Sequence, residues 1–149
     1  MMGRVIAKHF PLIFCMLLGV VMALTAENFG TQGNLQNVSY RTAVIAIMEL
    51  GQLLVILTGG IDLSVGSVAA LSGVAGCLLM TKIGLPMPLG IVAGAGVGLV
   101  CGFINGLLVT KGRIPPFIVT LGMMMAARGV ALVISKAEPV YGMPASFSW

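Results

Sequence analysis

Apolar residues run through this chain in five long blocks, and most of the charges, prolines and turn-forming residues fall between them. A helix needs about 20 apolar residues to cross a bilayer, within a range of about 17–25. The blocks at 10–26, 38–58, 63–80, 85–110 and 117–135 meet that length, the fourth with enough surplus to tilt. The pattern predicts an all-α, polytopic integral membrane protein of about five transmembrane helices. The stretch after Lys136, with Pro139, Gly142 and Pro144, reads as a loop.

Between the second and third blocks stands Thr58-Gly59-Gly60-Ile61-Asp62-Leu63-Ser64-Val65-Gly66-Ser67. Irregular backbone at membrane depth is tolerated only where protein buries it or where it lines a polar cavity. This break is therefore expected to be a working part. Asp62 is placed to accept hydrogen bonds from the free N–H groups of the following helix, with Ser64 or Ser67 as alternatives one turn on. The double glycine also allows a bend that opens polar groups to a cavity.

Composition supports a membrane setting. Charged residues make up 8% of the chain and hydrophobic ones 58%, with a mean hydropathy of +1.11. Soluble domains carry about a quarter charged residues, so lipid is the expected outer solvent. The net charge of +4 comes without a basic cluster interleaved with aromatics, so no nucleic-acid partner is expected. Cys15, Cys77 and Cys101 all lie within apolar blocks and His9 is the lone histidine. That excludes a disulfide framework and predicts no metal site, leaving the cysteines as packing residues. There is no nucleophile–base pair and no GxxxxGK[ST] loop, so no enzymatic activity, no cofactor and no ATP hydrolysis are expected of this chain.

The Lys/Arg bias sets orientation. Arg4, Lys8, Lys111 and Arg113 would lie on the cytoplasmic side, against Lys82 and Lys136 opposite, with Arg41 near that boundary. The N-terminus is expected inside. The first block follows a basic stretch and could be a signal peptide. Its length, and the bulky Leu24 at the −3 position of the only plausible cleavage context, favour a retained helix.

Within the blocks, Gly90, Gly94, Gly98, Gly102 and Gly106 recur every four residues, a spacing that lets two helix backbones approach closely. Val97 lies off this stripe. Asn105 precedes its last glycine, as an interhelical hydrogen-bonding group or a solute contact. Glu49 and Gln52 share a face mid-span and line a polar path, or else Glu49 partners Arg128, which lies inside the fifth block.

Beyond these readings, several stretches resemble the permease subunits of bacterial ABC importers for monosaccharides, the ribose/xylose/galactose group. They are Asn28-Phe29-Gly30-Thr31, Asn34-Leu35-Gln36-Asn37-Val38, the run from Gly51-Gln52 through Gly59-Gly60-Ile61-Asp62-Leu63-Ser64-Val65-Gly66-Ser67, Gly102-Phe103-Ile104-Asn105-Gly106, Lys111-Gly112-Arg113-Ile114-Pro115-Pro116-Phe117-Ile118-Val119-Thr120-Leu121-Gly122, and Ala127-Arg128-Gly129 through Glu138-Pro139-Val140. The resemblance implies inward sugar transport in the bacterial inner membrane. It also implies a second permease chain in a homo- or heterodimer, a cytoplasmic ABC ATPase subunit and a periplasmic sugar-binding protein. Permeases of this group are about twice as long. The chain thus resembles their N-terminal half, and a split or truncated permease acting only in membrane assembly is the alternative. A small secondary transporter is the more remote one. Trp149, the lone tryptophan, lies at the C-terminus, so no aromatic sugar platform is expected within the spans. Sugar selectivity is then expected to reside in the binding protein.

Overall fold

The computed structural model describes residues 2–144, with side chains from residue 9 onward. Trp149 lies outside the described residues. Five helices follow in order: α1 (Met2–Thr25), α2 (Gln32–Leu57), α3 (Val65–Lys82), α4 (Met87–Thr110) and α5 (Pro116–Ser135). No strand occurs among the described residues. At a rise of about 1.5 Å per residue, the last four are about 27–39 Å long, matching a hydrocarbon core of about 30 Å. These four are long and apolar enough to cross a membrane, and His9–Thr25 forms a shorter apolar helix.

Helix boundaries depart from the hydropathy blocks where polar residues join a helix or a local stop ends one. α2 begins at Gln32, six residues before the apolar block, because Thr31 caps it. The Thr31 Oγ1 accepts from the Asn34 N–H at 3.4 Å, and Asn34 Nδ2 donates to the Phe29 carbonyl at 2.7 Å. α3 begins at Val65 rather than Leu63, because Ile61 to Ser64 are held in irregular backbone.

The chain divides into two units, residues 1–47 and 48–149, the division falling inside α2. In the second unit α3 packs on both α4 and α5, and α4 touches α5. Leu71, Cys101 and Ala127, one from each helix, form the small core, ringed by Val68, Val97, Met123 and Ala131. Cys101 is thus a packing residue, and all three cysteines are free thiols. Elsewhere large apolar side chains stay exposed on every helix, and α2 buries no residue. Apolar surface on this scale marks contact with lipid or with other protein.

The α3–α4 pair explains the glycines. The helices run antiparallel across a short turn, with Gly76 beside Gly90 and Gly94, and Ser72 beside Gly94 and Gly98. A Cβ on Gly94 would stand 2.8 Å from the Ser72 carbonyl oxygen, and one on Gly76 would stand 2.8 Å from the Gly90 carbonyl oxygen. At Gly90 it would collide with the Met80 side chain. Gly102 and Gly106, by contrast, have open space where a side chain would go.

The cause is helical geometry. Four residues turn a helix by about 400°, so a four-residue stripe drifts by about 40° per step. By Gly102 it has left close contact with α3 and borders an open cleft between the two helices. The residues that do stay buried on α4 are Gly90, Gly94, Cys101 and Asn105, a row that follows the 3.6-residue period. Val97 is partly buried against the core rather than idle beside the stripe.

Candidate functional site at the break between two helices

The break is built from its ends inward. α2 stops at Thr58 in a Schellman motif: the Gly60 N–H donates to the Val55 carbonyl at 3.0 Å and the Gly59 N–H to the Ile56 carbonyl at 2.9 Å. Gly59 takes the positive φ of 75° that this stop requires. Gly60 is confined by Val55, whose Cγ1 would lie 3.1 Å from an added Cβ. The double glycine therefore ends a helix and lets the chain turn closely past its last carbonyls.

Beyond it, Asp62 folds back on Ser64. Its Oδ1 accepts from the Ser64 N–H at 2.7 Å and from the Ser64 hydroxyl at 2.6 Å. This is an Asx-type turn. It places the carboxylate on the residue that precedes α3, not on the N–H groups of its first turn. Ser64 itself holds the N-cap position without a side-chain bond to the helix.

Three helices reach this segment. Gln52 Nε2 on α2 donates to the Asp62 carbonyl at 3.1 Å. Asn105 Nδ2 on α4 donates to Ser64 Oγ at 3.0 Å. Thr120 Oγ1 on α5 lies 3.2 Å from the Ile61 carbonyl. Its single proton is shared with the nearer Pro116 carbonyl at 2.9 Å, so the bond to Ile61 is the weaker branch. Ser64, Asn105 and Thr120 are buried at 1%, 7% and 4% exposure, while Asp62 and Gln52 are half-buried. A strip of irregular backbone thus has its polar groups satisfied by side chains from its neighbours, as a low-dielectric setting demands.

The other predicted residues lie elsewhere. Glu49 is exposed on α2, one turn from Gln52. Arg128 is exposed on α5 and lines a cleft of about 510 Å³ between α3 and α5, with Leu63, Ser67 and Ser135. Among the described residues no salt bridge joins Glu49 to Arg128. Of the five glycines, only Gly90, Gly94 and Gly98 would bring an added Cβ within 4 Å of α3, while Gly102 lines the open cleft between the two helices. Two contributors had no assigned role from the sequence: Thr120, and Ser72, whose hydroxyl lies in the α3–α4 cleft. Ser72 is one helical turn from Gly76, so the small-residue face of α3, read against that of α4, could have shown it.

No cluster of His, Cys, Asp or Glu suited to a metal ion occurs among the described residues. The site gathers hydrogen-bonding side chains beside apolar walls.

Comparison with known proteins agrees. The family described as "Branched-chain amino acid transport system / permease component" matches residues 34–141. The chain belongs to this family of permeases and is a multi-pass membrane protein. It is 40% identical over 129 residues to the ribose import permease protein RbsC of Escherichia coli, covering 87% of this chain and 40% of that one. It is 37% identical over 135 residues to the D-allose transport system permease protein AlsC of the same species, covering 91% and 41%. It is 49% identical over 100 residues to the fructose import permease protein FrcC of Rhizobium meliloti, covering 67% and 28%. These relatives are transport permeases, not enzymes. The chain spans well under half the length of each. No solved structure matches.

Proposed function

We propose that this chain supplies transmembrane helices to the permease of a monosaccharide importer in the bacterial inner membrane, with its N-terminus in the cytoplasm. The observation that carries the reading is the side-chain-satisfied break at residues 60–64, inside a region that matches a permease family. Its relatives are named for ribose, allose and fructose. Broken helices with polar groups drawn in from neighbours are how transporters place a solute path at membrane depth. Energy would come from ATP hydrolysed on a separate cytoplasmic subunit. A periplasmic binding protein would deliver the sugar, and a second permease chain would complete the path.

Within that assembly Asp62, Ser64, Gln52 and Asn105 set the geometry of the break. Glu49 and Arg128, both charged and exposed within apolar helices, face other protein or water in the complete permease, because lipid would not accept them. The test is deletion of this chain's coding sequence in its native strain, with uptake of radiolabelled ribose, allose, galactose and fructose measured before and after. Loss of uptake of one sugar, its restoration by the chain and its sensitivity to ATP depletion are the expected results. Unchanged uptake of all four overturns the reading.

A further inference from the structure

Arg128 carries its charge where lipid would not hold it. It is exposed within α5, and among the described residues no carboxylate pairs with it. Arginine in a membrane span faces protein or water, because hydrocarbon does not accept the charge. A long side chain near a helix end escapes by reaching the headgroups. Arg128 is poorly set for that escape. Ser135, the nearer end of α5, is about 10 Å along the helix, and Cα–Cβ bonds tilt toward the helix N-terminus, away from that end. Pro116, at the other end, is about 18 Å away.

The cleft that Arg128 lines has the form of a seat for a helix. It holds about 510 Å³, with Leu63, Ala70 and Val74 on the α3 side and Met124 and Leu132 on the α5 side. Leu63 to Val74 and Met124 to Ser135 each span about 16 Å, or about three helical turns. Gly66 and Ala70, four residues apart on α3, leave room for a close helix contact. A Cβ on Gly66 would meet nothing within 4 Å. Polar side chains are few: Arg128, Ser67 and Ser135, the last already giving its proton to the Leu132 carbonyl at 3.3 Å. A sugar here would give up water against mostly apolar walls, with little to replace it. An apolar helix loses nothing at those walls and has only the one charge to answer.

This chain does not answer it. α1, α3, α4 and α5 contain no Asp or Glu, and Glu49, the one carboxylate of α2, is not paired with Arg128. The chain covers 40% of the ribose permease and 41% of the allose permease, so these relatives carry a long stretch that residues 1–149 do not match. The height of the charge is set by the break. Thr120 reaches Ile61 there, and Arg128 lies about 12 Å further along α5.

Resting on the permease reading above, we propose that the α3–α5 cleft seats a transmembrane helix from outside residues 1–149, apolar but for one Asp or Glu that pairs with Arg128. The pair fixes the register of that helix against the break, as a single polar residue does in a helix pair.

The test uses the complete transport complex in its native membranes. p-Benzoylphenylalanine replaces Leu132, which is exposed on the cleft wall, and the membranes are irradiated. The expected cross-link, identified by mass spectrometry of the digested adduct, is to an apolar segment outside residues 1–149 that contains an Asp or Glu. A cross-link to lipid alone, to a segment without an acid, or to α2 of a second copy overturns the proposal, and so does no cross-link. In a second arm, Arg128→Gln should lower the intact complex recovered in mild detergent by about tenfold or more, because it strands a buried carboxylate. Changing the cross-linked acid to its amide in the Arg128→Gln background should restore most of that loss. Recovery unaffected by Arg128→Gln, or a double variant no better than the single one, overturns the pair. Neither arm measures uptake. Failure of the transport reading therefore shows separately, as sugar uptake that survives deletion of the chain.

Discussion

Adding one methyl group at Gly94 separates the helix-packing account from a general effect of glycine. The Cβ of Gly94→Ala would meet the Ser72 carbonyl oxygen at 2.8 Å, about 0.6 Å inside ordinary contact. That obstacle is backbone, so no side chain can swing away, and α3 and α4 must part. A gap of 0.5–1 Å forfeits about a quarter to a half of the dispersion attraction at each contact it opens. Overpacking of this kind costs about 1–3 kcal/mol. Alanine returns about 0.8–1 kcal/mol of helix propensity, which would obscure the result if Gly94 were tested alone. Gly102→Ala removes that ambiguity. It gains the same propensity on the same helix but meets nothing within 4 Å. The difference between the two variants is therefore the packing cost alone.

At about 2–4 °C per kcal/mol for a chain of this size, the melting points should differ by roughly 2–12 °C. Gly102→Ala should be the more stable variant. The assay is the fraction of detergent-solubilised protein that remains monodisperse after heating, followed by size exclusion. Gly76→Ala, whose Cβ would meet the Gly90 carbonyl oxygen at 2.8 Å, should behave like Gly94→Ala. The double variant should cost less than the sum, because the helices part only once. Equal melting points for Gly94→Ala and Gly102→Ala would show that the close approach of α3 and α4 is not what these glycines supply.

Three further outcomes follow from the same geometry. Gln52→Leu removes the donor to the Asp62 carbonyl and should cost about 0.6 kcal/mol, the average for an interhelical bond in a membrane, with about 1.7 kcal/mol as the upper end; no shift in melting point would make Gln52 a bystander. Asp62→Ala should reduce sugar uptake without reducing the amount of chain in the membrane, because it frees the Ser64 N–H and hydroxyl while leaving every apolar block intact; normal uptake would remove Asp62 from the mechanism. For topology, Gly33→Cys and Lys111→Cys in a cysteine-free background should give labelling by an impermeant thiol reagent on intact spheroplasts at 33 and not at 111, and the reverse pattern inverts the orientation. Lys111 is the better probe of that loop than Gly112, where a Cβ would lie 2.5 Å from the Leu108 carbonyl oxygen.

Hydropathy located all five helices, because apolar length is a property of the chain alone. It set their ends less well. The start of α2 depends on Thr31 and Asn34 capping a polar first turn, and the start of α3 depends on Asp62 holding Ser64 outside the helix. The break itself was visible as Gly59-Gly60 followed by Asp62. Its partners were visible only in part. Gln52 and Asn105 stood out as polar residues in apolar helices, where such groups need a reason. Thr120 and Ser72 did not, because a hydroxyl can bond its own helix backbone and so raises no alarm in a membrane span. Only the structure shows that the Ser72 hydroxyl has no such bond.

The fourth helix shows how one periodicity can stand in for another. Counting by fours joins Gly90 to Gly106 and leaves Asn105 as an adjacent oddity. Counting by the helical period of 3.6 joins Gly90 and Gly94 to Cys101 and Asn105, the buried row, and leaves Gly102 and Gly106 with open space where a side chain would go. The two counts agree over the first two turns and part by the end of the helix. The consequence is physical. The face that brings α4 against α3 through small residues is the same face that carries Asn105 to Ser64. A change in how closely the glycines let the helices approach must therefore also move the amide that holds the break. Packing at Gly94 and hydrogen bonding at Asn105 are two ends of one lever, about 16 Å apart along the helix. A variant that parts the helices at Gly94 should weaken the Asn105 bond to Ser64 without touching either residue. If Gly94→Ala lowers stability, Asn105→Ala added to it should then cost less than it does alone. Full additivity would mean that the two ends move independently.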